Sequence, residues 1–432
     1  MKHRLVFGKP SIWLVAAVMA FLGLCVVRQS TGASELISAG TIHAAVILAI
    51  PVSLTGVAAL VSERAGVINI GLEGMMILGT WFGAWVTLQT GNPWAGLAAG
   101  CIGGGFGGLL HAVATVGFGV DHIISGLAVN IIVAGVARYL SELAYGGSVG
   151  GGATSSPLVH QPSSLNLPFL SGGHLFGGST PAFLTRLADH HWLFVSDAAA
   201  VLAGLTSNVS VATLVIFPLF PLLFIFLWRT PIGLRLRSCG ENPVAADTLG
   251  VPVYRLKYLA VALSGALAGL GGAFLAIVAT GLYVEGQTAG RGYIGLALLI
   301  FGNWRIGGVL AGAALFGYTD ALQLRAGQTY HELLLFLALV SLGWLIVQGY
   351  RRYRLAGRAQ IVRDGAASRR AVMFPAAASG LFVAMYLSTK SVPSQLIPYI
   401  PYLITLVVLA VASQRLRPPA ADGHRFRRGE AH

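Results

Sequence analysis

Charge is what this sequence has least of. Only 10% of its 432 residues are Asp, Glu, Lys or Arg, against about 25% in a typical soluble domain. A chain so poor in charge cannot present a hydrated surface on every side, which excludes an ordinary globular enzyme. Phosphate-cradling loops are also lacking: no GxxxxGK[ST] occurs, so the chain carries no P-loop of its own. Cysteine is scarce. Cys25 and Cys101 fall in apolar runs and Cys239 in a basic loop, which excludes a disulfide framework. No nucleophile–base pair or carboxylate pair stands on an aqueous domain, so no catalytic residue is expected.

What is present is hydrophobic length. Apolar residues make up 55% of the chain and the mean hydropathy is +0.75. Runs of ~20 apolar residues identify transmembrane helices. They fall near 11–27, 36–61, 68–89, 94–117, 123–144, 207–228, 258–282, 292–302, 306–324, 331–348, 371–388 and 397–413. The first follows a basic start, as a signal peptide would, but lacks a small-residue cleavage site and reads as a retained helix. The expected fold is an all-α polytopic membrane protein of about ten to twelve spans. The segment at 292–302 is too short to cross at ~1.5 Å per residue and reads as a half-helix whose broken end lines a cavity.

Positive charge gives the threading. With the N-terminus inside, 22 of the 28 Lys and Arg residues lie on cytoplasmic segments, so both termini are expected in the cytoplasm. The net charge of +13 is then a topology signal and a contact with anionic lipid, not a nucleic-acid footprint.

Several motifs carry less than they promise. Leu170-Ser171-Gly172-Gly173-His174 looks like an ATPase signature, but lies in the long external segment 146–206 with no phosphate loop to serve. Asp189-His190-His191 in the same segment lacks further ligands at metal spacing and reads as part of a solvated loop, so no metal is expected. Gly103, Gly105 and Gly108 satisfy GxGxxG inside an apolar span. With Gly100/Gly104 and Gly104/Gly108 four apart, they read as close helix packing. His43 and His111 read as packing residues, since one histidine per span is a weak proton-relay signal.

Two stretches carry more. Ile70-Gly71-Leu72 and Ile294-Gly295-Leu296 open oppositely threaded segments, each followed by Gly-Asn and a glycine-rich span; this pattern fits an inverted repeat such as transporters use. In the basic loop 229–257, Asn242 suits an N-cap, Pro243 the first helical position and Gly250 the position past the end. These encode a two-turn helix outside the bilayer. Such a helix is marginal alone and must dock on something, with Ala245 and Ala246 small enough for a partner groove and Asp247 able to meet a basic group there.

Taken together, ERAGVINIGLEGMM, HIISGLAVN, GENPVAADTLGV, LSGALAGLGGAF and GRGYIGLALLIFGNW resemble the permease subunits of bacterial ABC importers. The nucleoside and simple-sugar branch is nearest, with ribose and branched-chain amino-acid permeases more distant. The resemblance covers roughly 36–324 and 392–420. It implies a permease core at 1–325, an inserted helical hairpin at 326–391 with a basic cytoplasmic loop, and a final span with a basic tail at 392–432. It also implies partners: an ABC ATPase that uses ATP and Mg, a substrate-binding protein or lipoprotein, and a second, different permease in the cytoplasmic membrane. No cofactor is implied on this chain. The 242–250 loop would be the ATPase-coupling element. The substrate-pathway candidates are Asn69, Gly71, Glu73, Ser125, Asn130, Gly292 and Gly295. Two readings stand for the polar ones: transport site or interhelical glue. An alternative function is an ion-coupled secondary transporter, for which Glu73 and Asp320 are the candidate membrane carboxylates.

Overall fold

A computed structural model describes residues 9–175, 178–190, 192–325, 330–356, 365–389, 395–404 and 416–428. The chain is helical almost throughout. In order come α1 (Lys9–Thr31), α2 (Ala39–Arg64), α3 (Leu72–Thr90), α4 (Pro93–Ala112) and α5 (His122–Tyr145). After the long loop come α6 (Phe183–Ala188), α7 (Val195–Thr206), α8 (Val211–Ile216), α9 (Leu219–Arg229), α10 (Pro231–Glu241) and α11 (Pro243–Thr248). The rest are α12 (Val253–Phe274), α13 (Arg291–Phe301), α14 (Ile306–Arg325), α15 (Tyr330–Ala356) and α16 (Gly365–Ser388). Among the described residues, five helical stretches are long and apolar enough to cross a membrane: α2, α4 with its π turn, α5, α8–α9 and α12 with its π turn. The last expected span, 397–413, lies largely outside the described residues, as do the 357–364 loop and the basic start at 1–8.

Two compact units form. One comprises Met1–His43, Asn166–Ser207 and Thr319–Val407; the other comprises Ala44–Leu165, Asn208–Tyr318 and Val408–His432. In the first, α15 and α16 pair as a helical hairpin, and α15 also packs along α1. The long segment 146–206, expected outside the membrane, is more structured than a solvated loop. α6 and α7 pack together through Leu184, Ala199 and Ala203, and buried Asp197 on α7 meets Arg28 on α1 at 2.9 Å. His190 lies tilted against Trp192, 5.2 Å between rings, and His191 lies outside the described residues. Two-residue strands complete the segment: β1 (Ser164–Leu165) pairs antiparallel with β4 (Val209–Ser210), and β2 (His174–Leu175) with β3 (Gly178–Ser179).

The second unit is built on backbone contact between α3, α4 and α12. A Cβ on Gly104 would collide with the Gly265 carbonyl, and one on Gly265 with the Gly104 carbonyl. Gly100 packs against Ala273 and the Gly79 carbonyl, and Gly108 against the Val261 carbonyl and Gly265. The glycine pattern at 100–108 is therefore a helix-packing stripe. Asn92 caps α4 by accepting from Trp94 N at 2.9 Å, with Pro93 at its first position, and Asp121 caps α5 through Ile123 and Ile124 N–H. α13 has 11 residues, about 16 Å at 1.5 Å per residue, roughly half of a bilayer core.

Candidate functional site

Between the end of α2 and the start of α3 the chain leaves the helix. Gly66 turns with φ +79° and residues 67–70 run unwound before α3 begins. Non-helical backbone at membrane depth needs partners from the protein itself, and side chains supply them. Ile68 N donates to His122 Nδ1 at 3.2 Å, and Ile68 O lies 3.1 Å from His111 Nε2. Asn130 Nδ2 donates to Ile70 O at 2.9 Å, while Asn130 Oδ1 accepts from Gly74 N at 2.7 Å. Asn69 Nδ2 donates to Ser264 Oγ at 3.0 Å. Asn69 Oδ1 is buried and without a hydrogen bond, the uncompensated acceptor of this joint.

Glu73 sits in the first turn of α3 and is 8% exposed. Its Oε1 accepts from Gly290 N at 2.9 Å and its Oε2 from Gly292 N at 2.7 Å. The carboxylate thus caps the N-terminus of the half-helix α13, where orphan N–H groups and the helix dipole favour negative charge. Gly290 holds φ +77° to start that helix. Gly292 packs on the Glu73 backbone, Gly295 on Thr55 and Gly56, and Gly71 against Gly126. Ser125 bonds His111 Nδ1 at 2.9 Å. The structure therefore gathers Asn69, Gly71, Glu73, Asn130 and Gly292 at one joint, places Ser125 one residue pair away, and sets Gly295 against α2. Tyr293 completes it: its hydroxyl accepts from Asn130 Nδ2 at 2.9 Å while the residue as a whole is 44% exposed.

Sequence reasoning missed His122, Ser264 and Tyr293. It took His111 as packing, and His111 holds a backbone carbonyl. Their common signal is a polar residue in an apolar span near Gly66–Gly71. The tripeptides 70–72 and 294–296 differ in place, one ahead of α3 and the other within α13.

The turn 62–66 is held at the opposite side. Glu63 Oε2 accepts from the Trp304 indole at 2.6 Å, and Arg64 donates to Trp304 O at 2.7 Å. These bonds hook the end of α2 to the turn between α13 and α14.

At the same end of the unit, α10 and α11 form consecutive capped helices. Thr230 caps α10 by accepting from Gly233 N at 3.1 Å; Asn242 caps α11 by accepting from Ala245 N at 2.9 Å. α10 was not expected, although Thr230-Pro231 repeats the cap-plus-proline signal of Asn242-Pro243. Past α11, Gly250 is left-handed at φ +79° and Val251 N returns to Ala246 O at 3.0 Å, a Schellman-type stop. Ala246 does not face outward as expected. It is 3% exposed, packed with Cys239, Val253 and Phe426. Asp247 pairs with Arg428 of this same chain at 3.0 Å. The outward face of α11 is Val244, Ala245, Thr248 and Leu249, the last 84% exposed. Burial pushes the Cys239 thiol up to about 11, so it stays neutral.

Among the described residues no three His, Cys, Asp or Glu are grouped to hold a metal. The arrangement has hydrogen-bonded joints and a projecting helix, the parts of a moving bundle. A family profile described as the permease component of branched-chain amino acid transport systems matches residues 41–343. A putative glucose ABC transporter permease of Haloferax volcanii is 35% identical over 67% of this chain and 78% of its own length. A guanosine ABC transporter permease of Bacillus subtilis is 32% identical over 66% of this chain and 81% of its own length. A nucleoside ABC transporter permease of Lactococcus lactis is 34% identical over 64% and 80%. No solved structure matches significantly.

Proposed function

The chain belongs to this family of ABC-transporter permeases, and from that premise we propose what it carries and how it is driven. It is a multi-pass permease subunit of an ABC importer, and such subunits work with ATPase and substrate-binding partners. The cargo we propose is a nucleoside or a related small polar solute such as a simple sugar, in keeping with the names of its relatives. The subunit sits in the cytoplasmic membrane of a bacterium beside a second, different permease. A lipoprotein or binding protein delivers the solute from outside. ATP and Mg are used on separate ATPase subunits.

One observation carries the drive mechanism: α11 is a capped helix with its own stop and an apolar outward face ending in Leu249. Seated on an ATPase, it would pass a displacement inward without a hinge. Ala246 packs on Val253, the first residue of α12. α12 touches α3 and α4 through backbone, and α3 caps α13 through Glu73. Such a chain of rigid contacts suits a rigid-body shift of the bundle. The ion-coupled alternative needs a membrane carboxylate free to take up a cation or proton. Both oxygens of Glu73 are engaged by Gly290 and Gly292, which weighs against it.

The test is uptake in proteoliposomes holding the permease pair and its ATPase, with labelled nucleosides and sugars in competition. ATP-dependent nucleoside uptake is the expected result. Uptake that persists with an inactivated ATPase but collapses with the ion gradient would overturn the ABC mechanism. Sugar uptake alone would correct the cargo.

A further inference from the structure

The segment 416–428 runs back over the end of the unit that carries α11. Arg417 N donates to Asn303 Oδ1 at 2.8 Å, Ala420 N to Glu241 Oε2 at 3.3 Å and Ala421 N to Gly240 O at 2.8 Å. Farther on, Phe426 packs on Tyr254, ring centroids 5.4 Å apart, and its carbonyl accepts from the Tyr254 hydroxyl at 3.2 Å. Arg428 then reaches Asp247 on α11. The segment is a strap tied at both ends.

Beneath its second half lies a cavity of about 100 Å³. Lys257 and His122 line it from the bundle, and His424, Arg425 and Arg427 from the strap. None of its lining residues is acidic. Lys257 is only 2% exposed, and no hydrogen bond or ion pair holds its ammonium among the described residues. Of the nearby acids, Asp121 caps α5 through Ile123 and Ile124 N–H, while Asp422 is hydrogen-bonded to Glu63 and also acts electrostatically on Lys257. That single carboxylate is set against Lys257, Arg425 and Arg427 around the cavity, so the charge there stays net positive and favours an anion. His122 already accepts from Ile68 N through Nδ1, which leaves Nε2 to donate.

We propose that this cavity binds a phosphate monoester or inorganic phosphate, held by Lys257 and Arg425 and closed over by the strap. Phosphate offers several acceptor oxygens to an ammonium, a guanidinium fork and an imidazole N–H at once. Bound there, it would pin the strap and, through Arg428 and Phe426, steady α11. The phosphate could be free in solution or borne on a lipid headgroup such as phosphatidic acid. The inference does not depend on the cargo proposed above.

The experiment uses the full-length permease in phosphatidylcholine nanodiscs. Tryptic cleavage at Arg425 and Arg427 is followed while sodium phosphate replaces chloride at constant ionic strength. Parallel arms use adenosine monophosphate, and discs containing phosphatidic acid without soluble phosphate. The expected result is saturable protection of the strap by about tenfold. Lys257→Met and, separately, Arg425→Ala, both followed at Arg427 because the second variant lacks the Arg425 cleavage site, should raise the half-protecting concentration about tenfold or more, the loss of one charge-assisted contact. Arg425 lies at the surface, so its variant keeps the test alive if the buried substitution disturbs folding. Protection by soluble phosphate identifies a free ligand; protection only by phosphatidic acid identifies a headgroup. Equal cleavage in every arm, or unchanged response in folded variants, overturns the proposal.

Discussion

Two short helices of this chain start on the same device and serve opposite ends. α11 takes its cap from the residue before it, Asn242, and its stop from Gly250. α13 takes its cap from Glu73, 217 and 219 residues away from the N–H groups that it accepts. A locally capped helix is an autonomous piece and can be offered to a partner. A remotely capped helix is a joint, because its first turn cannot move without the first turn of α3. Exposure follows the same division: Glu73 is 8% exposed and Leu249 84%.

The comparison breaks most visibly at Glu73. Glu73→Ala strands Gly290 and Gly292 N–H in a buried site, at ~1–3 kcal/mol each. The expected outcome is a loss of about 3 kcal/mol or more and a permease that aggregates on heating well below the wild type. Glu73→Gln keeps one carbonyl acceptor and should recover part of that loss. Thermal midpoints from fluorescence-detected size exclusion decide it. A Glu73→Ala protein as stable as the wild type would mean that α13 does not depend on this cap.

Next in size is a contrast within α11. Ala246→Trp should damage the permease itself, since it overpacks the cluster with Cys239, Val253 and Phe426 at ~1–3 kcal/mol. Leu249→Asp should leave the thermal midpoint unchanged and abolish co-purification of the ATPase. If Leu249→Asp retains the ATPase and ATP-driven uptake, the outward face of α11 is not the docking face.

What the sequence made legible follows the same line between local and remote. The caps and stop of α11, the length of α13 and the packing role of Gly100, Gly104 and Gly108 all rest on neighbours within a turn or two. The polar residues Asn69, Glu73 and Asn130 were picked out because an apolar span has no other reason to hold them. Their partners were not legible, since Gly290, Ser264 and Tyr293 meet them only after folding. The inward turn of Ala246 was missed because six residues are too few to display a helical period. α10 was missed for a poorer reason: Thr230-Pro231 carried the signal, within a loop read for one helix only. The external segment misled through composition, because Gly, Ser and Pro at its start concealed α6, α7 and the Arg28–Asp197 pair.

The strap gives a smaller effect with a definite sign. Burial pushes Asp422 up to about 6, partly offset by its hydrogen bond to Glu63 and by Lys257. A carboxyl raised on folding stabilises the docked strap fully below its ordinary value, and that contribution is lost as pH rises through about 6. In chloride buffer without phosphate, tryptic protection of Arg425 should therefore be greater at pH 5 than at pH 7.5. The informative quantity is the difference from Asp422→Asn, which should flatten the profile. An unchanged profile in that variant would place the pH dependence on another group.

The smallest effect belongs to Arg428. Its guanidinium is 75% exposed and its bond to Asp247 spans 3.0 Å, the geometry of a surface ion pair, worth ~0–1 kcal/mol and screened by salt. Arg428→Ala should leave the thermal midpoint within experimental scatter, and the effect on strap protection should be slight at low salt and absent at high salt. The pair matters for the comparison because it is the only salt bridge between the strap and α11 among the described residues. If Arg428→Ala instead matched Glu73→Ala in severity, α11 would be held as rigidly as α13, and the division between a free docking helix and a fixed joint would fail. If it changed ATPase retention without changing stability, the strap would belong to the docking face itself, with Asp247 turned toward the partner once Arg428 is gone.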